Sequence, residues 1–153
     1  MPLLARRRAL LTAAGVGTIV LGLTVHETVD SPAGAFAGDA LYAVLVFVLV
    51  ALLAPRASST VAGGVAFAIC AAVELLQLTG VPAQLSATIP GVELVLGSTF
   101  QGTDLLAYAI GAGLAAAVDA RLRRRAAGSS RGGPTTPSGG APAPRPPSET
   151  PSR

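Results

Sequence analysis

Six residues stand out by type and spacing. Asp39 with Tyr42, Glu74 with Gln77, and Asp104 with Tyr108 form three pairs, their members three or four positions apart. On a helix that spacing puts both members on one face. A carboxyl beside a phenol or an amide can bind a hydrogen-bonding ligand, exchange a proton, or tie helices together in apolar surroundings. His26 is the only histidine. With carboxylates it would satisfy metal-ligand chemistry, but at the end of an apolar run it reads as an interfacial residue. No metal and no other cofactor is expected. The sequence holds no P-loop, no Cys/His zinc spacing and no Gly-x-Ser-x-Gly. Ser and Thr in the apolar stretches lack a nearby histidine or lysine base. The inventory therefore leans away from an enzyme.

These pairs are set in a chain that is unusually apolar. Of 153 residues, 51% are hydrophobic and 12% charged, against about 25% charged in a soluble domain. The net charge of +3 comes from eleven arginines and no lysine. Most arginines flank apolar stretches and interleave with no aromatic surface, which excludes nucleic acid as a partner. Cys70, the single cysteine, lies in an apolar run and reads as a buried, inert thiol.

Four apolar runs must position the pairs: Ala9 to Val25, Ala40 to Ala54, Val61 to Leu78 and Leu105 to Val118. A transmembrane helix needs about 20 residues, so each run must recruit flanking polar residues. Asp39 and Asp104 suit the first turn of a helix, where a carboxylate meets free N–H groups and the positive end of the dipole. Pro55 and Gly80-Val81-Pro82 are stop signals. The expected fold is all-α: a four-helix transmembrane bundle with helices over about 9–26, 39–54, 60–78 and 103–119. Residues 1–8 form an N-terminal segment, and 120–153 form a disordered, basic, proline-rich tail with no apolar face to dock.

Arg6–Arg8 precede the first run, Arg56 follows the second, and Arg121–Arg125 follow the fourth, while segments 26–38 and 79–103 hold no Lys or Arg. Excess Lys/Arg marks cytoplasmic loops. The chain therefore reads as a multi-pass protein of the cell membrane with both termini in the cytoplasm. Arg6-Arg7-Arg8 followed by Ala35-Phe36-Ala37 also resembles a secretory leader, but the apolar run is longer than an h-region of about 7–15 residues. It is read as a retained span.

This topology brings all three pairs to the outer leaflet. With the third helix centred near Ile69, Glu74 lies about 7 Å past the midplane, still within hydrocarbon. Ionisable residues at such depth face a bundle interior or a cavity. Gly63, Phe67, Cys70, Glu74 and Gln77 line one side of the third helix, and Asp104, Tyr108, Gly111 and Ala115 one side of the fourth; the small residues among them allow close packing. One interior site is therefore expected, made of Asp39, Tyr42, Glu74, Gln77, Asp104 and Tyr108, with Glu74 its most sensitive member. Asp119 is expected to pair with Arg123 one turn on. Gly38-Asp39-Ala40-Leu41-Tyr42-Ala43 and Gly102-Thr103-Asp104-Leu105-Leu106-Ala107-Tyr108-Ala109 also form a weak repeat, consistent with two hairpins related about the membrane normal.

Three segments in order carry a resemblance: the Gly38–Ala43 motif, Glu74-Leu75-Leu76-Gln77-Leu78, and Leu96-Gly97-Ser98-Thr99-Phe100 followed by Asp104-Leu105-Leu106-Ala107-Tyr108-Ala109-Ile110-Gly111. Over about residues 9–118 the chain resembles the bacterial membrane-protein family of domain of unknown function 2809. That resemblance implies a four-helix membrane protein, no known activity, and the same six residues as signature positions. A more distant similarity reaches the VanZ-like proteins, linked to glycopeptide resistance. The basic residues of that pattern are absent here: Ala40 follows Asp39, and no arginine lies between Gln77 and Asp104.

Three functions are compatible with these residues. The leading one is a small membrane protein whose polar cluster is structural or binds a small ligand. The second is a transporter or proton-coupled subunit using Glu74, which four helices could support only as a homo-oligomer. The third is an enzyme on an outer-leaflet lipid or cell-wall precursor. The partners implied are the lipid bilayer and either further copies of the chain or another membrane protein. Orientation is directly testable: reporter fusions after Arg56 and Arg125 should read as cytoplasmic, and fusions near Ala33 and Gln84 as periplasmic. A periplasmic signal after Arg125 would refute the arginine argument.

Overall fold

A computed structural model describes residues 2–96 and 101–129. Four long helices, α1 (Pro2–Thr28), α2 (Pro32–Leu53), α3 (Ser59–Gln77) and α6 (Gly102–Ser129), form the bundle; α4 (Val81–Ser86) and α5 (Glu93–Leu96) are short helices between α3 and α6. Each long helix contains a stretch long and apolar enough to cross a membrane, of 24, 22, 19 and 27 residues in chain order. Most large apolar side chains on their outer faces are exposed, among them Val20, Leu23, Leu49, Leu75, Leu106 and Leu114. Water-soluble proteins rarely present so continuous an apolar surface; hydrocarbon is the solvent that suits it. The chain is an all-α, multi-pass membrane protein.

Helix α2 is the hub and packs on α1, α3 and α6; α3 also packs on α6. Phe47, Val46, Val48, Ala43 and Ala51 of α2 meet Ala62, Ala66 and Cys70 of α3 and Tyr108 and Ala112 of α6 in one core. Small residues set the spacing. A Cβ on Gly111 would collide with the Ala40 carbonyl, and one on Gly63 would lie 2.9 Å from the Ala116 Cβ. Without a hydrophobic drive between helices in lipid, this close approach supplies dispersion contacts instead. Cys70 is fully buried, as its apolar run implies.

Several boundaries differ from the sequence expectation, each for a local reason. Arg6–Arg8 lie inside α1, which starts at Pro2; proline fits the first helical position because its missing N–H would be unsatisfied there anyway. Helix α2 begins seven residues earlier than expected. Ser31 caps it, its hydroxyl accepting from the Gly34 N–H, and Pro32 supplies the first turn. Asp39 therefore sits in the body of the helix instead of opening it. The expected tail start at 120 is also corrected: α6 continues to Ser129, since Arg, Leu and Ala are strong helix formers and no proline intervenes before Pro134. The rest of that tail lies outside the described residues. Gly80, at φ 72°, ends the α3 turn, and the proline expected to stop α3 sits in the first turn of α4.

The start of α1 and the second half of α6 meet at the arginine-rich end. Arg7 donates to the Asp119 carboxylate at 3.3 Å and to the Pro55 carbonyl at 3.3 Å. Arg123 bonds the same carboxylate at 2.8 Å, and the Ser59 hydroxyl donates to it at 2.6 Å. Asp119, only 7% exposed, thus joins three helices. The local pair with Arg123 is the one expected from spacing; Arg7 and Ser59 are additions made by the fold. Removing the carboxylate leaves two cations and a hydroxyl without their acceptor. Asp119→Ala should cost on the order of 2 kcal/mol and lower the unfolding midpoint more than Arg123→Gln does. A thiol-reactive dye reading exposure of Cys70 measures this; equal midpoints for Asp119→Ala and wild type would show that the junction contributes nothing.

Candidate functional site

At the opposite end the six expected residues come together, though not in one role. Fifteen residues of α3, about 22 Å at 1.5 Å per residue, separate Ser59 from Glu74. Glu74 is 0% exposed. One carboxyl oxygen accepts the Gln101 backbone N–H at 2.6 Å and the other accepts the Tyr108 hydroxyl at 3.2 Å. Gln101 immediately precedes α6, so its N–H is one of the groups the helix cannot satisfy from within. A carboxylate beside it also meets the positive end of the α6 dipole. Glu74 therefore fastens the start of α6 to α3. Gln77, one turn on, donates from Nε2 to the Leu96 carbonyl at 2.8 Å and fastens the end of α5.

Asp39 and Asp104 do something different. They line a cavity of about 690 Å³ together with Tyr42, Gln77, Gln101 and Tyr108, and Glu74 does not line it. The two aspartates approach each other from α2 and α6 in the wall of this cavity. Both are half-buried. Thr103 donates its hydroxyl to Asp104 at 3.3 Å. Among the described residues the ion pairs found both go to Asp119, so no arginine neutralises this pair. The rings of Tyr42 and Tyr108 meet at a centroid distance of 6.2 Å and a 59° tilt, a geometry in which one ring's edge approaches the other's face. Tyr108 thus belongs to both parts, its hydroxyl on Glu74 and its side chain in the cavity wall.

The far wall comes from α1, through Ile19, Gly22, Leu23, Val25 and His26, and from Asp30 in the turn to α2. Neither the wall nor Asp30 is marked by a motif: apart from His26, the only histidine, the α1 residues are ordinary span residues, and Asp30 is a single acid in the short turn between α1 and α2. The cavity exists because the backbone of α1 packs along α2 and on neither α3 nor α6. Its tie to α6 is the Arg7–Asp119 pair at the distant end. Among the described residues no group of three or more His, Cys, Asp or Glu is arranged to hold a metal ion. The arrangement offers a half-open pocket of ligand size, rich in hydrogen-bond acceptors above an apolar floor.

A family model described as Protein of unknown function (DUF2809) matches residues 30–112, just over half of the chain. The matched stretch includes all six residues of the polar cluster. No curated protein and no solved structure matches.

The division between fastener and cavity wall has a mutational signature. Glu74→Gln retains an acceptor for the Gln101 N–H and an amide that can donate to the Tyr108 oxygen, so it should unfold close to wild type. Glu74→Leu leaves the buried Tyr108 hydroxyl and the part-buried Gln101 N–H without their acceptor and should lose about 1–3 kcal/mol. A Leu variant as stable as wild type in the same dye-monitored unfolding would show that Glu74 fastens nothing.

Proposed function

We propose that this chain, which belongs to the Protein of unknown function (DUF2809) family, is a ligand-binding protein of the cell membrane. The ligand enters the cavity between α1, α2 and α6, and Asp39 and Asp104 are the groups that face it. Glu74 and Gln77 position the wall, and Tyr42 and Tyr108 give it shape. The arginine-rich end, where α1 starts and α6 finishes, lies in the cytoplasm, and the cavity lies toward the outer leaflet.

The observation that carries this reading is the contrast between two sets of carboxyls inside one apolar bundle. Asp119 and Glu74 are buried and matched to donors. Asp39 and Asp104 are set against each other at a cavity, with no cation to offset them among the described residues. Placing two like charges together in a membrane is costly, and a purely structural cluster would be better served by the pairing that Glu74 and Asp119 show. The transport reading that starts from Glu74 has less support in this geometry, since both Glu74 oxygens are engaged by the protein.

Purified protein in mild detergent, screened by Cys70 dye unfolding against a chemically broad panel of small metabolites and lipids, tests the proposal. At least one compound should raise the midpoint of wild type and leave that of the Asp39→Asn, Asp104→Asn double variant unchanged. A panel that stabilises neither protein, or stabilises both equally, would contradict a ligand site at this cavity.

A further inference from the structure

The chemistry of the cavity wall specifies the class of ligand; this inference rests on the ligand-binding reading above and narrows it. Three carboxyl groups border the space, Asp39, Asp104 and Asp30, and His26 is the one basic side chain among the lining residues. Gln77 adds an independent sign. It lines the cavity, is 9% exposed, and uses its Nε2 on Leu96; its Oε1 is buried and has no hydrogen-bond partner among the described residues. A buried amide oxygen left without a donor costs about 1–3 kcal/mol, and a ligand N–H that reaches it through a small shift of the Gln77 side chain toward the cavity it lines would remove that cost. The wall therefore asks for a donor-rich cation. Tyr42 and Tyr108 present aromatic rings that favour the same charge.

The floor adds a second requirement. Below the carboxyls the lining is Ile19 and Leu23 of α1, Leu41 and Leu45 of α2, and Val73 of α3. The backbone of α1 packs on neither α3 nor α6, so this floor is continuous with the apolar surface of the bundle. A small soluble amine would leave it uncovered, whereas an alkyl chain would fill it.

We propose that the cavity binds an amphiphile with a primary ammonium head: the head sits between Asp39 and Asp104 with a donor to Gln77 Oε1, and the chain lies along the Ile19–Leu23 face of α1. A free long-chain amine and an aminolipid share this chemistry. The test uses dodecylamine, dodecanol, dodecanoate and propylamine, with unfolding in lipid nanodiscs followed by circular dichroism. Dodecylamine should raise the wild-type midpoint by several degrees, propylamine and dodecanol far less, and dodecanoate not at all. Asp39→Asn or Asp104→Asn should each weaken dodecylamine by at least about tenfold. Gly22→Phe serves where the Asn variants fold poorly. Gly22 lines the cavity and a Cβ there meets open space, so a phenyl group should occupy the cavity while both aspartates are retained, and should also abolish the shift. Exchanging phosphatidylcholine for phosphatidylethanolamine in the nanodisc separates the sources. A carboxyl-dependent rise in the ligand-free midpoint identifies the lipid; an unchanged midpoint leaves the free amine.

Dodecanol or dodecanoate acting as strongly as dodecylamine, with the same dependence on Asp39 and Asp104, would overturn the ammonium assignment and leave the ligand site standing. Propylamine matching dodecylamine would overturn the apolar chain alone. Shifts that persist in every variant, or that no compound produces, would overturn the assignment together with the site.

Discussion

The bundle depends on satisfying one carboxyl in a place where water cannot. Glu74 is fully enclosed among apolar helices, and hydrocarbon offers its oxygens no alternative partner. The Gln101 N–H and the Tyr108 hydroxyl supply the two bonds. Because one donor is the backbone just ahead of α6 and the other lies two turns into it, the pair fixes both the height and the rotation of α6 against α3. Asp104, three positions after Gln101 and four before Tyr108, is thereby held on the side of α6 that meets Asp39 of α2. Glu74 is taken up by the protein, and the cavity is lined without it.

The Arg7–Asp119–Arg123 junction sets the other limit. It ties the first turns of α1 to α6 at the arginine-rich end, and Ser59 adds α3 to the same carboxylate. Toward the opposite end α1 relies on α2 alone. A helix held firmly at one end and on one side leaves space at the other, and that space is the cavity. Burial of charge thus serves two purposes in a small chain: matched charges lock the helices, and the unmatched pair is left for whatever enters.

Much of this was legible in residue order. Four apolar runs bounded by arginines suffice to define four spans, because hydropathy and length are local properties. The three one-turn pairs were recognisable as one cluster, since polar residues inside spans have few places to go but the interior. The roles within the cluster were not. Its depth marks Glu74 as the most sensitive member but leaves helix-tying and proton exchange equally open, because its donors include a backbone N–H whose position depends on the path of the chain from α3 to α6. The early start of α2 was hidden by Pro32 and Gly34, which resemble a loop until Ser31 is seen to cap them. Arg7 and Asp119 lie 112 residues apart, and no spacing rule links them. Asp30 and the α1 wall carry no pattern of their own; only the way α1 leans on α2 gives them a site to line.

The central claim is that two aspartates face an accessible cavity while Glu74 is sealed by the protein. Carboxyl labelling of the folded protein with a water-soluble carbodiimide and a small amine nucleophile, followed by peptide mass spectrometry, measures this directly. Asp39 and Asp104 should be modified in the native state, and Glu74 only after unfolding. Native-state modification of Glu74, or protection of both aspartates, would contradict the account.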